Sequence, residues 1–87
     1  MHLLLYEYVE NMAERRGPHR EAHLAHLRAA RDAGKVGLAG ALGSPPSGGA
    51  IQFKDATEAE IEAFVQADPY NRAGLISSYR IEPWTLV

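Results

Sequence analysis

Apolar residues fill both alternating sets of positions near the start of the chain, from Leu3 to Val9. Branched and aromatic side chains of this kind favour a β-strand, here one buried on both faces. In a small sheet with helices on one side only, the second apolar face needs a partner. A second copy of the chain is the simplest partner, and the pattern therefore predicts a homodimer.

A helix is predicted after a polar loop that runs from Glu10 to Arg16. Gly17-Pro18 fits an N-cap and a first helical position, and residues 19–33 favour helix with an apolar face. Gly34 is placed to end this helix in a left-handed conformation.

Two strands and a hairpin come next. Residues 36–42 alternate branched with small side chains, which predicts one bulky face and one face that another group can approach closely. Residues 43–49 contain two prolines and three glycines and predict a mobile connection. Residues 50–54 form the returning strand, with Ile51 and Phe53 on its inward face.

A capping box marks the start of the second helix. The Thr57 hydroxyl is expected to accept from the Glu60 amide while the Glu60 carboxylate reaches back, and the helix should end near Ala67. Residues 75–87 then have the pattern of strand. Pro83 cannot donate to a sheet ladder, so this last part is expected to be an edge, a bulge or a departing tail.

The predicted order is strand, helix, strand, strand, helix, strand. Because crossover connections are right-handed, this order indicates an α+β fold, a ferredoxin-like βαββαβ sandwich. Its four-stranded antiparallel sheet would carry both helices on one face and dimerise through the open face. With 87 residues, the chain is expected to form a single domain over 1–87.

Composition narrows the possible partners. The net charge is -2 and the nine Lys and Arg residues form no dense basic run, so nucleic acid is not an expected partner. The chain has no cysteine, which excludes a thiolate nucleophile and suits a reducing cytoplasm. No apolar run is long enough to span a bilayer, and the first residues lack the features of a signal peptide. We expect a cytoplasmic protein without a membrane partner.

Three histidines share one side of the first helix. His19, His23 and His26 follow the spacing i, i+4 and i+7, and two histidines four apart suit zinc. No acidic residue completes the set, and the alternative is two solvent-facing histidines and one inward one. We therefore predict no metal site.

His23 and Asp68 are the strongest candidates for chemistry. His23 lies beside Leu27 on the face expected to meet the sheet, and a buried imidazole needs a partner. Pro69 disfavours helical backbone at Asp68, which should place that carboxylate at a helix exit within reach of His23. Such a pair suits general acid/base catalysis near neutral pH. The alternative is a core histidine satisfied by a capping carboxylate.

Weaker candidates surround this pair. Arg20 lies one turn before His23, and its planar fork suits an anionic group, although its stem could simply cover the sheet edge. Tyr6, Tyr8 and Tyr70 are candidates to line the cleft, and tyrosine in a small domain is also common as packing. We predict Arg20, Tyr6 and Tyr70 as substrate-binding residues.

Several motifs occur together at a spacing that is more specific than any one of them. They are Arg20 to Leu27, Gly34 with Ala39-Gly40, Asp68-Pro69-Tyr70, Ala73-Gly74-Leu75 and Pro83-Trp84. In this combination the chain resembles the YCII family of YciI-like proteins over nearly its whole length. The hairpin with Pro45-Pro46 is shorter than relatives often have, which points to a different substrate if that loop covers the cleft.

The resemblance implies a ferredoxin-like chain that pairs through its open sheet face into a dimeric α+β barrel. It also implies a His-Asp pair in a cleft, which falls on His23 and Asp68, and a small-molecule enzyme of largely unassigned activity. Dehydrochlorination of hydroxylated aromatics is associated with some relatives. No organic cofactor is indicated. The alternative function is a non-catalytic dimeric module that binds a metabolite or a partner.

Overall fold

The computed structural model describes residues 1–87 as four strands and four helices. Their order is β1 (His2–Tyr8), α1 (Met12–Arg15), α2 (Gly17–Asp32), β2 (Val36–Leu42), β3 (Gly48–Phe53), α3 (Glu58–Ala67), α4 (Pro69–Arg72) and β4 (Ile76–Pro83). The strands form one antiparallel sheet in the order β2-β3-β1-β4. This confirms the predicted ferredoxin-like α+β fold. Within one chain the sheet is open and does not close into a barrel.

The core lies between one face of the sheet and the helices α2 and α3. Its nine buried members are Leu4, Tyr6, Leu27, Val36, Ile51, Phe53, Ile61, Phe64 and Val65. Leu3 and Leu5, on the opposite face of β1, are only half-buried. No layer of a single chain covers the second face of β1, so its burial on both faces depends on the predicted second copy and stays a prediction.

A β-bulge interrupts the alternation of β2. Val36 and Ala39 are three residues apart, but their partners on β3 are only two apart, so Gly37 and Leu38 together oppose Gln52. The Gln52 Oε1 accepts a hydrogen bond from the Leu38 N–H at 3.0 Å, which satisfies a donor that the bulge removes from the ladder. As a result Val36 and Ala39 both face the helices, whereas Leu38 lies on the open face.

The segment before α2 differs from the predicted loop. Asn11 adopts a left-handed conformation (φ 61°) and starts α1, whose Met12 is buried in a small second cluster. One buried apolar residue therefore anchors a short helix in a segment whose polar sequence predicts a loop. Arg16, not Gly17, is the N-cap of α2, and Gly17 is its first residue. The prediction for the other end is confirmed, with Gly34 at φ 78°.

The second half of the chain follows the prediction closely. The capping box of α3 is confirmed: Thr57 Oγ1 accepts from the Glu60 N–H at 3.2 Å, and Glu60 Oε1 accepts from the Thr57 N–H at 3.1 Å. The helix ends at Ala67 as expected. The last strand is shorter than predicted, because β4 ends at Pro83 and residues 84–87 are irregular.

Candidate active site

Asp68 lies at the junction where α3 ends and α4 begins. Pro69 follows it directly, and the Asp68 backbone is extended, with φ -65° and ψ 123°. Its Oδ1 accepts a hydrogen bond from the Tyr70 N–H at 2.9 Å and so caps α4. The residue is 0% exposed. A carboxylate buried this completely needs further donors.

Two side chains from distant parts of the chain supply those donors. The Tyr6 hydroxyl on β1 donates to Asp68 Oδ2 at 2.8 Å, and His23 Nδ1 on α2 lies 2.8 Å from Asp68 Oδ1. We assign the ring proton to Nδ1, because an ionised carboxylate can only accept a hydrogen bond. The Nε2 atom of His23 then carries a free lone pair.

The His23 ring is fixed on both its edge and its face. It stacks on the Tyr70 ring, with 3.8 Å between the two ring centroids and 5° between the two ring planes. His23 is only 7% exposed, and its Nε2 has no hydrogen-bond partner in the chain. This nitrogen nevertheless keeps some solvent-accessible surface. Because His23 lines the cavity between α2 and the sheet, we infer that the accessible Nε2 faces that cavity.

This cavity lies between α2 and the sheet and has a volume of about 200 Å³. Its floor is made by small residues of β2 and β3, among them Ala39, Ala41 and Gly49, and Leu24 and Leu27 of α2 form an apolar side. A cavity of roughly 150 Å³ is large enough to hold benzene. The space therefore suits one substituted six-membered ring.

Three tyrosines border the cavity, and all three hydroxyls keep their protons near neutral pH. Burial, followed by the charge of Asp68, raises the pKa of Tyr6 far above its ordinary value of 10.0. Burial also raises the pKa of Tyr8 to about 12, and raises that of Tyr70. These phenols are hydrogen-bond donors, which leaves the His23 Nε2 as the proton acceptor in the wall.

Two arginines of one helical segment complete the cavity wall. Arg16 and Arg20 both line it, and their positive charges oppose the rise in the pKa of Tyr70. The charge of Arg16 also opposes the rise at Tyr8. The cavity is therefore an apolar slot bordered by the oriented His23 imidazole, the tyrosine hydroxyls and two arginine side chains.

The chain was compared with models of known protein families. The family model of the YCII-related domain matches residues 1–85 of the chain. The chain belongs to the YCII-related family. This membership confirms the resemblance inferred from the motifs around Arg20, His23 and Asp68.

One solved structure has the same fold as this YCII-related chain. It is the 5-chloro-2-hydroxyhydroquinone dehydrochlorinase (TftG) from Burkholderia phenoliruptrix AC1100, in complex with 2,5-dihydroxybenzoquinone. The two share 23% sequence identity with a TM-score of 0.80, over 98% of this chain and 94% of the other. At this identity the likeness shows a common fold. No curated protein matches the sequence.

The YCII-related chain brings all five predicted site residues together. Tyr6, Arg20, His23 and Tyr70 border the cavity, and Asp68 lies directly behind them. Tyr6 directs its hydroxyl to Asp68, so its contribution to the cavity is its ring. The catalytic and substrate-binding roles of these residues stay predictions.

Two residues that line the cavity are not among the predicted substrate-binding residues. Tyr8 is a predicted candidate to line the cleft, and its hydroxyl lies over Gly49, where a Cβ atom would come within 2.7 Å of it. The predicted loop includes Arg16, so this residue is not among the site candidates named from the sequence. It is one helical turn before Arg20, so a correct start for α2 would have placed both guanidinium groups on one side.

The three histidines of α2 do not converge. His26 is half-buried rather than facing solvent: its Nε2 lies 2.9 Å from the Phe64 carbonyl oxygen, and its ring stacks on the Phe64 ring at 4.3 Å. His23 Nδ1 is engaged by Asp68. No three His, Cys, Asp or Glu side chains come close enough to hold a metal ion.

None of the helices is both long and apolar enough to cross a membrane.

Proposed function

We propose that this YCII-related chain is an enzyme for acid/base chemistry on a small cyclic or aromatic molecule. His23 is the general acid/base, and Asp68 fixes its tautomer. The observation that carries the proposal is the pairing of His23 Nδ1 with a carboxylate at 2.8 Å in a residue that lines a cavity and whose Nε2 has no partner in the chain. A histidine held in this way presents a basic atom at a defined position.

The surroundings suit the two protonation states of His23. When Nε2 takes a proton, the imidazolium ion faces the Asp68 carboxylate at Nδ1 and is stabilised by it. The Tyr6 and Tyr70 donors hold that carboxylate still, so it need not reorganise during the transfer. His23 can then return the proton to product or to solvent.

Elimination of hydrogen chloride from a chlorinated, hydroxylated ring is the reaction we favour. In the ring tautomer with a tetrahedral chlorine-bearing carbon, Nε2 takes the proton of a ring hydroxyl. The O–H electron pair becomes a carbonyl bond, the adjacent double bond shifts, and the C–Cl bond breaks with its pair on chloride. A quinone and HCl result without an external oxidant. The name of TftG, a dehydrochlorinase of a chlorinated hydroquinone, supports this substrate class.

We further propose that two copies pair through the open face of the sheet. The supporting observation is a group of apolar side chains on that face, with Leu38 79% exposed and Leu42 and Trp84 also exposed. A contiguous apolar patch of this kind is typical of an interface.

A non-catalytic binding module is the second candidate function. It is favoured by the fact that Asp68 also caps α4 and binds Tyr6, so the carboxylate has a structural role whether or not His23 transfers protons. In that case the cavity holds a metabolite and the histidine only shapes it. The two functions differ in whether bound ligand is turned over.

Replacement of His23 and Asp68 tests the catalytic proposal. The native chain is first screened with halogenated phenols and hydroquinones, quinones and lactones. His23→Gln is expected to lower the turnover of an identified substrate by about 10²- to 10⁴-fold, because the proton acceptor is lost. Asp68→Asn is also expected to lower turnover, because a neutral amide stabilises the imidazolium ion of His23 less than a carboxylate does.

His19→Gln is the matched control, because His19 is on the same helix but outside the cavity wall. It should retain native turnover. Circular dichroism and ligand binding establish that the variants fold. If His23→Gln turns over an identified substrate at the native rate, the catalytic assignment is wrong and the binding module is favoured.

A further inference from the structure

We propose that Arg16 and Arg20 form a subsite for an anion, so that the cavity selects rings that carry a negatively charged oxygen group such as a phenolate, enolate or carboxylate. This inference rests on the proposed function, in that it assigns a substrate class to the same cavity. It adds Arg16, a residue outside the predicted site, and a charge requirement.

Both guanidinium groups lack a carboxylate partner within the chain. The ion pairs of the chain join His2 to Glu58, His23 to Asp68, Lys35 to Glu60, and Arg80 to Glu82. None involves Arg16 or Arg20. Two cations therefore border a partly enclosed slot without internal neutralisation.

Asp68, which is hydrogen-bonded to two residues of the cavity wall, does not compete for these cations. Asp68 is 0% exposed, and its two oxygens receive Tyr6, His23 and the Tyr70 N–H. No Asp or Glu is among the residues that line the cavity. The wall facing a ligand is therefore positive, and clefts with charge of one sign and low-dielectric walls attract the opposite charge.

The position of the arginines fits a ligand that also reaches His23. Arg16, the N-cap of α2, lies one turn before Arg20, and His23 follows Arg20 by one further turn on the same side. A ring in the apolar slot can thus present its anionic oxygen to the guanidinium groups and another position to Nε2. Arginine is suited to this role because its planar fork binds two oxygens at once.

Binding of benzoate and benzamide tests the charge requirement directly. The two molecules have nearly the same shape and differ in charge, and their dissociation constants are measured by calorimetry or NMR titration of the full chain. Benzoate is expected to bind about tenfold more tightly than benzamide. Added salt should weaken benzoate binding and leave benzamide binding nearly unchanged.

Arginine variants assign the effect to the proposed residues. Arg16→Gln and Arg20→Gln are each expected to weaken benzoate binding about five- to tenfold, with benzamide binding within about a factor of two of the native value. Arg28→Gln is the matched control, because Arg28 is an exposed residue of α2 outside the cavity wall. It should bind both molecules like the native chain.

Three results would overturn the anion subsite: equal affinity for the two molecules, an unchanged benzoate affinity in either arginine variant, or no measurable benzoate binding by the native chain. His23→Gln separates this inference from the catalytic proposal. That variant should still prefer benzoate while turnover of an identified substrate is lost. Retained turnover in His23→Gln contradicts only the catalytic proposal, whereas loss of charge selectivity contradicts only the anion subsite.

Discussion

Asp68 joins three parts of the chain through one carboxylate. Its partners Tyr6 and His23 are 62 and 45 residues away in sequence, and the third donor is the local Tyr70 N–H. Each hydrogen bond involves a charged acceptor inside the protein, where such bonds are strong and an unpaired charge is costly. The same residue therefore contributes to stability and orients the histidine.

Tyr6→Phe tests the stability contribution. The substitution keeps the ring in the core and removes only the hydroxyl, so Asp68 Oδ2 is left buried without its donor. The free energy of unfolding at neutral pH is expected to fall by about 1–3 kcal/mol. Urea denaturation followed by circular dichroism measures the change, and a variant as stable as the native chain would show that the bond contributes nothing.

The same variant should change the response to alkali. The pKa of Tyr6 is raised in the folded chain, so its stabilising effect is complete below about pH 10, the unfolded value, and is lost as the pH rises above it. Tyr6→Phe has no such proton to lose and should lose less stability over that range.

Tyr79→Phe is the control for the stability measurement at neutral pH. It removes an exposed hydrogen bond to Glu62, and we expect it to change the free energy of unfolding by less than about 0.5 kcal/mol.

At the scale of elements, α3 positions Asp68, which follows its last residue, beside the cavity wall. Its first turn is closed by the capping box of Thr57 and Glu60. Near its other end, the Phe64 carbonyl accepts a hydrogen bond from His26 of α2, since Asp68 is no longer helical and does not supply its N–H there. Both helices of the core are thus tied together one turn before the catalytic candidate.

Thr57→Ala is expected to lower the free energy of unfolding by about 1 kcal/mol, because the Glu60 N–H loses its side-chain acceptor. Urea denaturation again provides the measurement. Thr85→Ala makes the same chemical change in the exposed, irregular end of the chain and should leave stability unchanged. Equal effects of the two substitutions would show that the capping box does not stabilise α3.

For the whole molecule, the two faces of the sheet differ in what covers them. One face packs against α2 and α3 and contains the core and the cavity. The other exposes Leu38, Leu42 and Trp84, with Leu3 half-buried beside them. A small domain buries only a modest part of its surface, so pairing through this face would add apolar burial that one chain lacks.

Leu38→Lys tests the proposed dimer. Because Leu38 is 79% exposed, a lysine there should leave the fold of one chain intact while placing two charges in a symmetric interface. The native chain is expected to sediment as a dimer and the variant as a monomer. Ala29→Lys, on the exposed side of α2, is the control and should remain dimeric. A monomeric native chain would contradict the proposal.

Much of this architecture could be predicted because its signals are local. The order of strands and helices, the capping box at Thr57 and the helix exit at Asp68 each depend on neighbouring residues. The closeness of His23 and Asp68 followed from the topology together with the family resemblance. Tyr6 as a donor to Asp68 depends on how β1 pairs with β3 and β4, and no local pattern specifies that. Arg16 was missed because one buried side chain, Met12, creates a helix in a polar segment.

The bulge at Gly37 and Leu38 has a consequence for both sides of the sheet at once. It directs the leucines of β2 to the open face and places alanines in the floor of the cavity. If the same residues alternated regularly from Val36 without the bulge, the leucines would fill the space for a ring and the alanines would lie on the outer surface. The space for a ligand and the apolar character of the outer face therefore both depend on a single extra residue in one edge strand.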